Sequence, residues 1–473
     1  MSPDSQISPP AGPTSTPPTP APHLASLAGR AYRCKCGVPV FFRNSECLAC
    51  GTPLGYDPEQ ARLLPLMPGE VADTWVVWQA DPASDADSGE QPQPQSDTND
   101  VLPPPARAYT RCLNLQTPAA CNWLVPTETS LDSANPVLLC RACRLNRIIP
   151  DLNDPEHPDN GLLWGRIELA KRRLISALLA LGLPVASRIT EDTERGMMFD
   201  FLRSPDNGPH IMTGHNTGLI TLNLQEADDA VREAVRKAMR EPYRTLLGHF
   251  RHEVGHYYWD RLVSGTPWMD GFHQLFGDEN LDYLAALRQN YEQGPPAEWW
   301  LQYVSAYAST HPWEDWAECW AHYLHMRDTI DTALSFGMMA DSAPLEFTPF
   351  TIDALYQPDH PEAQNFLDFL NDWTRLTTML NEMSRSMGQP DFYPFVLPLN
   401  VVAKLHFIHL LVTSASWLPE DAGAVRAAQE EMDQQMGAQI QTQTETQSQG
   451  QQAQEPYQPL QFNDEQETTT QNA

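Results

Sequence analysis

Five consecutive residues, His252-Glu253-Val254-Gly255-His256, put two imidazoles and a carboxylate at a spacing suited to metal chemistry. On a helix, positions four apart share one face about a turn from each other. Both rings can then reach one zinc ion at roughly 2.0–2.1 Å. Glu253, next to the first histidine, projects beside the open coordination position, where a carboxylate can take a proton from water. Apolar side chains at Leu246, Leu247, Phe250, Val254, Tyr257, Tyr258 and Leu262 can cover the rest of such a helix. Gly255 admits a second backbone at close range. His249, one turn before His252, reads as a packed or capping residue. Asp260, one turn past His256, can either orient its ring or take part in an exposed ion pair.

Two histidines leave a catalytic zinc one protein ligand short. The tryptophan-rich stretch from Tyr307 to Tyr323 can supply it. Pro312 can start a helix there. Trp313, Trp316, Trp320 and Leu324 form one apolar stripe, and Glu314, Glu318 and His322 form another face at four-residue steps. Carboxylates on so apolar a helix are costly to bury without a partner or a cation. Glu314 is the expected third ligand, which leaves Glu318 to accept a hydrogen bond from a ligand histidine. Glu318 itself, Asp315 or a histidine are the alternatives.

Nine cysteines occur, eight of them between residues 34 and 143 and the last at Cys319. In a reducing compartment such a cluster reads as zinc ligands rather than disulfides. Cys34 and Cys36 precede Gly37, and Cys47 and Cys50 precede Gly51. A glycine after each pair lets the backbone turn its amides toward the sulfurs, and Val38 to Phe42 suits a short strand between the two knuckles. Four thiolates on two knuckles make a zinc ribbon. Cys112, Cys121, Cys140 and Cys143 form a second set, with Cys112 and Cys121 spaced more widely than a normal knuckle. Pairing exchanged between the sets stays open. Structural zinc supplies roughly 10–16 kcal/mol of folding free energy in small modules, which would let segments this short fold without a large core. Cys319 reads as a buried helix cysteine.

These groups need a scaffold, and 473 residues suffice for two or three domains. Residues 1–27 are rich in Pro, Ser and Thr and are expected to be a disordered tail. Residues 28–152 hold the zinc-ribbon region. Within it, 81–105 carry six acids and no base, as a linker or an inserted loop. From 153 to 425 the composition is globular. Helical spacing runs from Leu162 to Leu181, with Arg and Lys on one face. Met198 to Leu202 and Gly218 to Leu224 read as strands. A charged helix over 226–240 follows, then Pro242 opens the histidine-bearing helix, and the chain beyond Gly265 is mainly helical. Strand, helix and metal helix in that order suit an α+β peptidase domain whose edge strand can pair with an extended substrate. Residues 426–473 form a Gln-rich, disordered tail. The net charge of −31 should repel nucleic-acid phosphate and anionic lipid. No charged-then-apolar leader is expected, and no apolar run comes near the ~20 residues a membrane helix needs. A cytoplasmic protein without nucleic-acid or membrane partners is expected.

The two cysteine knuckles, His252 to His256, His311-Pro312-Trp313-Glu314-Asp315-Trp316-Ala317-Glu318, Phe276-Gly277-Asp278-Glu279 and Arg385-Ser386-Met387-Gly388 together resemble a bacterial family of zinc-binding metallopeptidases with an amino-terminal zinc-ribbon region. The resemblance runs from roughly Cys34 to Leu411. It implies a mainly helical, zincin-like α+β domain with a short sheet, and zinc-dependent hydrolysis of a peptide or protein. In the wider gluzincin group, which is similar in its paired histidines and downstream glutamate, an acid four residues past the ligand glutamate braces a ligand histidine. Glu314 and Glu318 match that spacing. Some members, lethal-factor-like proteases among them, place a tyrosine seven residues before the glutamate, and Tyr307 fits. The expected catalytic groups are therefore Glu253 and Tyr307, the latter steadying an oxyanion. One catalytic zinc would sit on His252, His256 and Glu314, with one or two structural zinc ions on the cysteines. A different class of function is also expected to be compatible: a zinc-stabilised binding or regulatory module whose ribbons recruit a protein partner and whose hydrolytic site is weak or vestigial.

Overall fold

In the computed structural model, which describes residues 28–79, 107–130, 137–205, 207–338 and 345–415, the first described element is the ribbon. The expected tails 1–27 and 426–473 and the acidic stretch 81–105 lie outside the described residues. Strands β1 (Tyr32–Arg33) and β2 (Pro39–Val40) pair antiparallel around the first knuckle, with Tyr32 opposite Val40. Five further strands follow as an antiparallel meander: β3 (Leu54–Asp57), β4 (Arg62–Pro68), β5 (Trp75–Val77), β6 (Ala108–Arg111) and β7 (Leu124–Pro126). Leu64, Leu66, Tyr109 and Leu124 form its core. Because β5 and β6 pair directly, Trp75 opposite Tyr109, the two flanks of the acidic stretch belong to one hairpin.

A third sheet carries the α+β domain. Its strands are β8 (Asn146–Ile148), β9 (Met198–Leu202), β10 (Gly214–Asn216) and β11 (Leu219–Asn223), in the order β10-β11-β9-β8. β8, β9 and β11 run parallel, and β10 runs antiparallel to β11 at the edge. The two longer strands match the expected ones. The two short ones carry too few residues for an alternation to be read. β8 begins three residues after Cys143, so the expected boundary at 152/153 falls beyond a strand that already belongs to this sheet.

Helix α1 (Asn160–Ala180) packs Leu163, Ile167, Leu174, Ile175 and Leu178 inward. Two of its basic side chains are buried as well. Lys171 is paired with Glu168 at 2.7 Å, and Arg172 donates to the Ala119 carbonyl at 2.9 Å. Pairing is what makes such charges tolerable inside. Helix α2 (Asp229–Ala238) is capped by Asp228, which accepts from the amides of Ala230 and Val231. The histidine-bearing helix α3 (Leu246–Leu262) starts four residues later than Pro242 would place it. The Thr245 hydroxyl accepts from the Gly248 amide at 3.0 Å, and this cap sets the start. Phe250 on α3 stands edge-on to Phe199 and Phe201 of β9, fixing the helix on the sheet. Helices α4 (Met269–Leu275), α5 (Tyr283–Gln293), α6 (Pro312–Ser335), α7 (Ala363–Ser386) and α8 (Leu399–Ala415) follow. Pro312 opens α6 as expected, and Trp316, Trp320 and Leu324 are fully buried. Among the described residues, no helix is long and apolar enough to cross a membrane.

α3 and α6 meet where Gly255 faces Ala317. A Cβ at Gly255 would lie 3.0 Å from Ala317 Cα and 3.3 Å from its carbonyl oxygen. Trp316 Nε1 donates to the Gly255 carbonyl at 2.8 Å. An alanine here would regain about 1 kcal/mol of helix propensity, so a larger residue gives the cleaner test. Gly255→Val should lose about 1–3 kcal/mol through overpacking, seen as a lower denaturation midpoint, with zinc content falling as the helices separate.

Asp328 on α6 joins three parts of the molecule. Its carboxylate takes Arg30 at 3.0 Å, Arg173 of α1 at 2.7 Å and Arg251 of α3 at 2.7 Å. Arg30 precedes the first knuckle and also donates to Ser176 on α1 at 2.8 Å. Burial disfavours charge on Asp328, but the three guanidinium groups outweigh it and hold its carboxyl far below the usual range.

Candidate metal centre

The α3–α6 contact brings three side chains to one point. His252 Nε2 lies 3.0 Å from Glu314 Oε2, His256 Nε2 lies 3.7 Å from the same oxygen, and the two ring nitrogens are 3.3 Å apart. Ligand atoms 2.0–2.1 Å from a tetrahedral zinc would be separated by about 3.3–3.4 Å. The triangle has that size. Glu314 Oε2 is buried and has no hydrogen-bond partner, an arrangement a cation relieves. Two imidazoles and one carboxylate are also a usual donor set for zinc. The residues present fit the ion.

Each member of the triangle is held from behind. His252 Nδ1 meets Glu318 Oε1 at 2.8 Å, and the Ser305 hydroxyl donates to Glu318 Oε2 at 2.6 Å. A proton on Nδ1 leaves the Nε2 lone pair aimed at the common point. Glu314 Oε1 accepts from the Tyr283 hydroxyl at 2.6 Å. The His256 ring stacks on His215 of β10, with centroids 6.1 Å apart and planes 16° apart. His215 Nε2 accepts from the Gly218 amide at 2.9 Å, and burial pushes its pKa down to about 3, so the ring is neutral. The edge strand β10 is thereby fixed beside α3.

Charges follow from this packing. Burial opposes ionisation of Glu314, yet His256, His252 and the Tyr283 hydroxyl hold it down at about 2. Burial also opposes charge on His252, but Glu314 and Glu318 hold its pKa well above 6.5. A divalent ion competes with that proton, because a ligand imidazole must be neutral. Burial pushes Glu253 up to about 7; Glu314 and Glu318 add to the effect and His252 opposes it. A bound cation would draw it back down. The Tyr307 ring lies 5.9 Å from the His252 ring. Burial and the nearby negative charge of Glu314 keep its phenol protonated.

The cysteines form the two expected sets without exchange. In the first set Cys34 and Cys50 sulfurs are 3.6 Å apart, and Cys36 and Cys47 sulfurs 3.8 Å. In the second, Cys121 and Cys140 sulfurs are 3.6 Å apart, with Cys112 and Cys143 completing the group. Sulfurs 2.3 Å from a tetrahedral zinc would be about 3.8 Å apart. Gly37 and Gly51 adopt φ of +84° and +68°, the left-handed conformation that closes each knuckle. The second set is buried throughout, and Arg172 lies close enough for its charge to act on Cys121, Cys140 and Cys143.

Other candidates lie elsewhere. Asp315 pairs with Lys404 at 2.6 Å and accepts from the Cys319 thiol at 3.6 Å. His322 contacts the Tyr393 hydroxyl, and His249 faces Glu226 at 3.8 Å. The charge of Asp260 acts on Arg195 and Tyr257. Sequence reasoning missed Tyr283, Ser305 and His215. Of these only Tyr283 carried a signal, since it follows the Phe276-Gly277-Asp278-Glu279 segment quoted for the family resemblance.

Comparison with known proteins finds two family models and several relatives that match the chain. A family described as "putative zinc-binding metallo-peptidase" matches residues 160–411, and a zinc-ribbon domain matches residues 31–154. Proteins of Mycobacterium bovis and Mycobacterium tuberculosis, both named as uncharacterized, are 40% identical over 387 residues, covering 81% of this chain and 95% of each relative. No solved structure matches.

Proposed function

Since the chain belongs to the zinc-binding metallopeptidase family, we propose that it hydrolyses peptide bonds at a zinc ion held by His252, His256 and Glu314. The observation that carries this reading is the triangle of two Nε2 atoms and Glu314 Oε2, each edge near the tetrahedral value. Zinc bound there would supply the Lewis acid that brings the pKa of water from 15.7 toward about 7 and polarises the scissile carbonyl. Glu253 takes the proton from the attacking water and returns it to the leaving amine. Tyr307 donates a hydrogen bond to the developing oxyanion. Glu318 keeps His252 in the ligand tautomer. An extended peptide can lie along the free edge of β10. The reducing cytoplasm, where clustered cysteines hold zinc, is the compartment this reading fits.

Metal analysis tests it. The wild type should contain three zinc ions per chain, and Glu314→Ala and Cys50→Ala two each, with hydrolysis of an unfolded protein substrate lost in the first. Three ions in Glu314→Ala would sink the assignment. A second reading, a ribbon that docks a protein partner, is favoured by Leu48 and Phe41, which stand 95% and 64% exposed on the first cysteine module. A biological role that survives His252→Ala intact would favour it over hydrolysis.

A further inference from the structure

We infer that Tyr283 is a positioning residue that confines Glu314 to one oxygen at the metal, keeping a coordination position open for water and substrate. The inference rests on the metal centre proposed above and concerns how that centre is kept competent. Its basis is a division of the two carboxylate oxygens. Oε1 accepts the Tyr283 hydroxyl at 2.6 Å, whereas Oε2 faces both imidazole nitrogens and has no hydrogen-bond partner. A free carboxylate can bind a cation through either oxygen or both. With one oxygen committed to a phenol, only the other is available.

Tyr283 is built to hold that place. It is the first residue of α5, and the Asp282 side chain caps that helix by accepting from the Ala285 amide at 2.9 Å. Its ring stands edge-on to His311, with centroids 5.2 Å apart. His311 is fixed from both sides. Its Nδ1 accepts from the Trp313 amide at 3.1 Å, capping α6 three residues before Glu314, and its Nε2 donates to the Leu281 carbonyl at 3.0 Å. The segment that presents Tyr283 and the helix that presents Glu314 are thus tied by one imidazole. The phenol and the carboxylate cannot drift apart independently. Tyr283 also lies close to Tyr307, so one pair of phenols divides the work: one oriented on the ligand, the other left for substrate.

Tyr283→Phe removes the hydroxyl and keeps the ring against His311. Two readouts test it, neither needing turnover. The first is zinc affinity of the third site, by competition with a chromophoric chelator while the cysteine sites stay loaded. The variant should bind about 10–100-fold more weakly, as expected when a group that orients a ligand is lost. The second is the visible difference spectrum after reloading that site alone with Co(II). The wild type should give the stronger absorption of a four-coordinate ion, and the variant the weaker absorption of a five-coordinate one as Glu314 binds through both oxygens. Unfolding of the zinc-depleted site should be the same in both proteins. Equal affinity and identical spectra would overturn the role of Tyr283 while leaving the metal centre standing. A wild type that binds no metal at the third site would overturn both.

Discussion

Glu253→Gln is expected to give a folded protein with its full complement of zinc and peptide hydrolysis reduced about 10²–10⁴-fold, the usual worth of a positioned general base. Glutamine preserves the size of the side chain and removes the ability to carry a proton away from water. Glu253 is itself 8% exposed on a helix anchored by Phe250 and Gly255, so the amide should sit where the carboxylate does. The loss should appear in kcat, because proton transfer belongs to the chemical step rather than to substrate binding. A zinc-loaded variant that turns over at the wild-type rate would refute the assignment. Loss of metal together with activity would instead assign Glu253 a structural part.

The second large effect concerns Asp328. Removing one partner of a buried ion pair costs about 3–5 kcal/mol, and here one carboxylate serves Arg30, Arg173 and Arg251 together. Asp328→Ala should therefore lose at least that range in denaturant unfolding and release the ribbon from α3. The pH dependence has a definite sign. The folded pKa of Asp328 is depressed, so its contribution is fully present above the unfolded value of about 4 and is lost only as pH falls well below it. The wild type should consequently keep this contribution through mildly acidic conditions. Asp328→Asn should lie below it across that range and converge with it only in strong acid. A difference that stays constant down to strong acid would refute the ionic origin.

Much of the centre was legible because its spacing is helical. His252 and His256 face one way on any helix, and Glu314 with Glu318 repeats the step, so two local patterns predicted one contact. The supporting groups were not legible for a matching reason. Tyr283 and Ser305 sit 31 and 13 residues from the carboxylates they serve, in segments without periodicity. His215 belongs to a three-residue strand, too short for alternation to mark it. Of the basic residues on α1, Lys171 has a local partner in Glu168, but Arg172 and Arg173 answer to the cysteine thiols and to Asp328, which lie far away in the chain. The start of α3 followed a cap rather than a proline, because the Thr245 hydroxyl satisfies an amide whereas Pro242 only fixes a dihedral angle.

The strand that begins three residues after Cys143 has its own consequence. A gene fragment opening at residue 153 would encode a sheet lacking β8, and with it the Arg147 partner of Asp200. Such a fragment should be insoluble even though His252, His256 and Glu314 are all present. The front module is therefore no portable accessory: recombination could not swap it for another without rebuilding the neighbouring sheet, and chains of this layout should inherit both halves together.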